Sequence, residues 1–241
     1  MLKMIRSEWI KIRRSVVWLL SGVSPIIALA IGTFGYRPKG GFPWEEMLSL
    51  LSALHAMLFL PLLAGVYAAL LCRYEHAAGG WKQMLAMPVS RTQVYFAKFV
   101  ILMLLLAVTQ ALLLIVLLII GATHGIGSPI PWGTLFASFA GGWLACLPLA
   151  ALQLFVSVAF QSFAAPLAVN VILTIPNVLV VNSERFGPYY PWAQPMLAML
   201  PRTDYGFGAF HLSMETLAAV VLGSFCVFFA AGWAYFTNKP V

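Results

Sequence analysis

The chain has 241 residues, 62% hydrophobic and only 9% charged, with a mean hydropathy of +0.92; a water-soluble domain carries about a quarter charged residues and is excluded. The net charge of +7 would suit nucleic acid, but the basic residues flank apolar runs and form no stripe with interleaved aromatics, which excludes that partner. Three cysteines, Cys72, Cys146 and Cys226, are odd in number and lack a CxxC spacing, so neither a disulfide framework nor a metal site is indicated.

At the N-terminus Leu2, Ile5, Trp9 and Ile12 recur at three- and four-residue steps, with Lys3, Arg6, Lys11, Arg13 and Arg14 mostly elsewhere on the helix. The pattern predicts an amphipathic interfacial helix over 1–15, with Trp9 as anchor and Lys11, Arg13 and Arg14 on anionic headgroups of membrane lipids. A plain topogenic basic start would use the same charges. The run that follows is long enough to span and ends in no small-residue cleavage site, so it reads as a retained helix and not a signal peptide.

Apolar runs long enough to cross about 30 Å of hydrocarbon lie near 16–35, 48–72, 98–121, 134–160, 164–182 and 215–237. Each must satisfy its own backbone in lipid, and the alternation of a membrane β-barrel is missing, so the fold class is an all-α membrane protein with six transmembrane helices in a single domain over 1–241. The fourth run holds Gly141-Gly142 and Pro148 and is expected to tilt or break; the fifth is short and holds Pro166 and Pro176. Residues 183–214 are too apolar for a free loop, and their Tyr and Trp content predicts a re-entrant or interfacial segment on the external side. With the N-terminus inside, Lys3, Arg6, Lys11, Arg13, Arg14, Arg73, Lys82, Arg91, Lys98 and Lys239 lie on the cytoplasmic side and only Arg37, Lys39, Arg185 and Arg202 outside. That asymmetry predicts both termini in the cytoplasm.

The main polar interruption runs from Arg73 to Lys98. Gly79-Gly80 breaks the helix that carries Glu75 out of the second span, and Trp81 and Leu85 lie four apart on one face of a short helix that Pro88 stops. Ser90 is placed to cap the next helix, and Arg91 and Lys98 bracket the return to lipid. Inside the spans, His55, Gln110, Gln153, Asn170 and Asn177 are polar, and such residues are functional candidates by default. His55 reads more readily as an interhelical hydrogen bond than as a substrate contact. Asn170, Thr174 and Asn177 form a polar stripe that suits a dimer seam or a substrate path equally.

Glu75, Gly80, Trp81, Leu85, Pro88, Ser90, Arg91 and Lys98, together with the basic start containing Glu8, Lys11, Arg13 and Arg14, resemble the permease subunits of type-2 ABC exporters. The likeness is strongest to the small bacterial permeases of lantibiotic immunity and bacitracin resistance, although Trp81 stands where that family often has Thr. The resemblance implies a cytoplasmic coupling loop over 73–98, with Trp81 through Leu85 docked on a cytoplasmic ABC ATPase present in two copies. It also implies Glu75 holding the loop by pairing with Arg73 or Arg91, and a second permease, identical or homologous. It further implies a bacterial cytoplasmic membrane, with an antimicrobial peptide as cargo. The chain has no G-x-x-x-x-G-K-[ST] phosphate loop, so ATP and Mg belong to the partner ATPase and this chain binds no cofactor. No catalytic residue is assigned: Glu45-Glu46 lacks the accompanying Arg, neither HExxH nor GxSxG occurs, and His76, His124 and His211 read as loop residues without carboxylates at ligand spacing. The alternative, a non-ABC secondary transporter or a sensor subunit, would call for buried ionisable residues within the spans or a repeat between halves.

Overall fold

The computed structural model describes residues 1–35, 44–76, 80–81, 89–200 and 212–239, and among these no residue is in a strand. Helix α1 is Leu2–Ile12; α2 is Val17–Ala30, prolonged by a π turn at Ile31–Gly35. The next span is α3, Trp44–Leu54, a π turn at His55–Phe59 and α4, Leu60–His76. Then come α5, Arg91–Thr123, α6, Trp132–Ala145, α7, Leu147–Ala159, α8, Ala164–Thr174 and α9, Asn177–Val180. A 3-10 turn at Gly187–Tyr189 and α10, Gln194–Met199, precede α11, Met214–Asn238.

Five stretches are long and apolar enough to cross a membrane: Val17–Gly35, Trp44–Arg73, Arg91–Thr123, Trp132–Ala159 and Met214–Asn238. Five of the six expected runs thus stand as long apolar helices among the described residues. The run predicted near 164–182 is the shorter apolar stretch Ala164–Val180, interrupted between α8 and α9 where Pro176 supplies no N–H. The fourth span is broken as its sequence suggests, into α6 and α7 meeting at Cys146, with Pro148 in the first turn of α7, where a missing N–H is tolerated.

The helices pack with α11 on α7, α2 on α5, α10 on α6, α4 on α7 and α8, and α1 along α5. The main core joins Met47, Leu48, Leu60, Tyr67, Leu102, Leu106, Leu149 and Leu154, all fully covered. Gly232 of α11 permits a close approach to α5, because a Cβ there would overlap the Tyr95 hydroxyl. The chain between 187 and 199 does not stay at the rim. Asn177 Nδ2 donates to the Trp192 carbonyl at 2.9 Å, Ser138 Oγ to the Met199 carbonyl at 2.5 Å, and Gln110 Nε2, from the interior of α5, lies 3.3 Å from Met199 Sδ. This segment fills the space beside the short α8.

Candidate functional site

At the end of the bundle where α1, α4 and α5 meet, four charges form a closed ring. Lys11 Nζ lies 2.6 Å from both Glu8 Oε1 and Glu75 Oε1. Lys98 Nζ lies 2.9 Å from Glu8 Oε2 and 3.0 Å from Glu75 Oε2, and also donates to the Leu71 carbonyl at 2.6 Å. Two carboxylates and two ammonium groups alternate, so the ring is neutral. Glu8, Glu75 and Lys98 are buried, and Lys11 is the partly exposed member. Burial alone would raise the Glu75 carboxyl; Lys98 and Lys11 outweigh it and hold the group below its ordinary value. Buried charges survive only when paired and hydrogen-bonded, and here every charge has two opposite neighbours.

The ring depends on how α1 sits. Met4, Glu8 and Ile12, four apart, form its buried face, while Leu2, Trp9 and Ile10 are exposed. Trp9 meets Trp18 edge-on at 5.4 Å, and Arg13 and Arg14 are exposed, open to the surroundings. Lys11, expected among headgroups with Arg13 and Arg14, is instead turned inward to the two carboxylates. The expected partners of Glu75 are corrected likewise. Arg73 lies over the Phe163 ring at 5.5 Å, and Arg91 donates to the carbonyls of Thr237 and Lys239 at 2.9 and 2.6 Å. The reason is reach: on α5, Lys98 is two turns further into the bundle than Arg91, level with Glu8.

Next to the ring the chain after α4 returns to the bundle. The Trp81 indole packs edge-on against Phe236 of α11 at 5.2 Å, with Lys98 Nζ 5.7 Å above its ring. Its Nε1–H donates to His76 Nδ1 at 3.1 Å, and His76 Nε2 lies 2.7 Å from the Ser157 carbonyl of α7. Gly80 is part of this return. Ser90 caps α5, accepting from the Gln93 amide at 3.2 Å. Leu85 and Pro88 lie outside the described residues. The root of the 73–98 segment is thus joined to α1, α5, α7 and α11.

Residues 4–177 match the family model of the ABC-2 family transporter proteins. The chain belongs to this family. It is a membrane-spanning transport subunit of an ABC transporter, multi-pass and without catalysis of its own, and the ATPase is a separate subunit. No curated protein matches it.

In this ABC-2 transporter subunit the intramembrane polar residues tie the second span to the elements around it. Pro61 has no N–H, so the Met57 carbonyl loses its donor from four residues on; Asn177 Nδ2 supplies one at 2.8 Å. Asn170 Nδ2 donates to the Pro61 and Leu62 carbonyls, both at 3.1 Å, while its Oδ1 accepts from Gln153 Nε2 at 3.0 Å and Trp192 Nε1 at 2.9 Å. Gly65 makes room, since a Cβ there would overlap the Asn170 amide. Thr174 Oγ1 donates back to the Asn170 carbonyl at 2.7 Å. His55 Nδ1 lies 2.7 Å from Ser24 Oγ, linking the π turn to α2. The stripe weighed as dimer seam or path is turned into the chain's own interior, with His55, Asn170, Thr174 and Asn177 all buried. Sequence reasoning passed over Glu8 as a ring member, although its place between Met4 and Ile12 on one helical face was the available signal. It also read His76 as a loop residue, whereas it ends α4; no spacing rule could have brought it to Ser157.

Proposed function

We propose that this chain is the permease subunit of an ATP-driven exporter that removes a hydrophobic or amphipathic antimicrobial peptide from a bacterial cytoplasmic membrane. Both termini and the 73–98 segment lie in the cytoplasm. Two copies of an ABC ATPase binding ATP and Mg dock on that segment, with Leu85 on the contact face and Pro88 ending it, and a second permease completes the transporter. The observation that carries this reading is the rooting of the segment. Glu75 is locked to α1 and α5 by the charge ring, and Trp81 to α11, so a push on the segment moves several helices together. Trp81 then acts as the root of the coupling element, and the residues beyond it make the ATPase contact. ATP shifts the permease only through its tighter binding to the closed ATPase pair.

Affinity purification of the tagged chain from its native membrane in mild detergent, with mass spectrometry, tests this. A stoichiometric ABC ATPase is expected with the wild type and is expected to be lost with Leu85→Asp while the permease stays inserted. An ATPase retained at wild-type level by Leu85→Asp would overturn the docking assignment.

A further inference from the structure

We propose that His76 is a positioning residue for the coupling segment that works only as a neutral imidazole, so that its protonation frees the Trp81 indole N–H from α4 and leaves the ring held by Phe236 on α11. The proposal rests on the coupling reading of the 73–98 segment. The two ring nitrogens have opposite requirements. Nε2 lies 2.7 Å from the Ser157 carbonyl, which can only accept, so Nε2 carries the proton. Nδ1 lies 3.1 Å from Trp81 Nε1, and an indole N–H can only donate, so Nδ1 is bare. A neutral ring with hydrogen on Nε2 satisfies both. An imidazolium would set Nδ1–H against the indole N–H and break the link between α4 and Trp81, while keeping its bond to Ser157.

Phe236 still holds the Trp81 ring to α11 at 5.2 Å, but no other contact around the pair replaces the hydrogen bond to α4. His76 and Trp81 also meet edge-on at 5.6 Å. From α5 the Lys98 ammonium sits 5.7 Å over the Trp81 ring. Beyond the end of α11, Lys239 Nζ donates to the Val158 carbonyl at 2.8 Å, one residue from Ser157. On α4 itself Glu75 is committed to Lys11 and Lys98 and Arg73 to Phe163. The described residues of α7 carry no charge. Two cations thus flank the pair, and the neighbouring carboxylate is already engaged.

The test uses the full chain with its ATPase, labelled with [15N]histidine and [15N]tryptophan, with His76 and Trp81 signals assigned by His76→Gln and Trp81→Phe. At pH 8 the expected result is a bare Nδ1 and a protonated Nε2. Lowering the pH to about 5, across the range in which imidazoles charge, should shift the Trp81 indole signal in the wild type and leave it fixed in His76→Gln. ATPase co-purification should fall about fivefold over the same range, the loss of one hydrogen bond, and become independent of pH in His76→Gln. A protonated Nδ1 at pH 8, or the same pH profile in wild type and His76→Gln, would overturn the proposal. Failure of the coupling reading would look different: no ATPase at any pH, with the tautomer as stated.

Discussion

Removing any one charge from the ring of Glu8, Lys11, Glu75 and Lys98 leaves an excess charge in a place with little water. Breaking a buried pair in this way costs about 3–5 kcal/mol, more than the intact pair contributes against a hydrophobic replacement. Glu75→Gln keeps the shape and some hydrogen bonding, so about 3 kcal/mol is expected at pH 7. Because the carboxyl is held below its ordinary value of 4.5 in the folded chain, its stabilisation is complete above that value and disappears as pH falls through the lowered one. Thermal unfolding in detergent should therefore show a gap between wild type and Glu75→Gln at pH 7 that narrows steadily in acid. A gap unchanged by acid would mean that Glu75 stabilises by packing and not by charge.

At the scale of helices, the second span is the informative element. Pro61 deprives the Met57 carbonyl of its donor, which Asn177 of α9 replaces, and Asn170 of α8 adds donors to the Pro61 and Leu62 carbonyls. A shortened fifth run thereby earns its place, bonded to the second span and closed by the segment at 187–199. Tyr190 adds to the closure by donating its hydroxyl to the Leu173 carbonyl. Asn177→Leu removes donors to the Met57 and Trp192 carbonyls together. Interhelical hydrogen bonds in membranes average about 0.6 kcal/mol, but orphaned buried carbonyls cost more, so about 1–2 kcal/mol is expected. Denaturant titration in mixed micelles measures it; hydrogen exchange should also rise at 187–199 before the rest of the bundle. Asn170 and Asn177 were legible as polar residues inside a span, and their seven-residue spacing correctly put them on one face. Which surface that face meets was not legible, because the acceptors come from a helix more than a hundred residues earlier.

For the whole molecule, the ring, the Trp81 root and the Arg91 contacts with the end of α11 lie at one end of the bundle, joining the first, middle and last parts of the chain. In the proposed orientation that end faces the cytoplasm. A single-cysteine variant carrying Ser90→Cys, with Cys72, Cys146 and Cys226 replaced, should react with a membrane-impermeant maleimide in inverted vesicles and not in intact cells. Labelling in intact cells would reverse the topology.

The sequence by itself determined the class of the protein, since so few charges and so many long apolar runs leave helices in lipid as the way to satisfy the backbone. It also marked helix starts such as Ser90 and the break near Pro148, because caps and prolines act through neighbours only a few residues away. Tertiary structure alone decided that the fifth run divides into α8 and α9 against the second span and that Lys11 turns inward. It also decided that Glu75 pairs with Lys98, and that His76 holds Trp81. Those outcomes depend on distances between residues remote in the chain, and a charge carries no mark of its partner until packing removes the water between them.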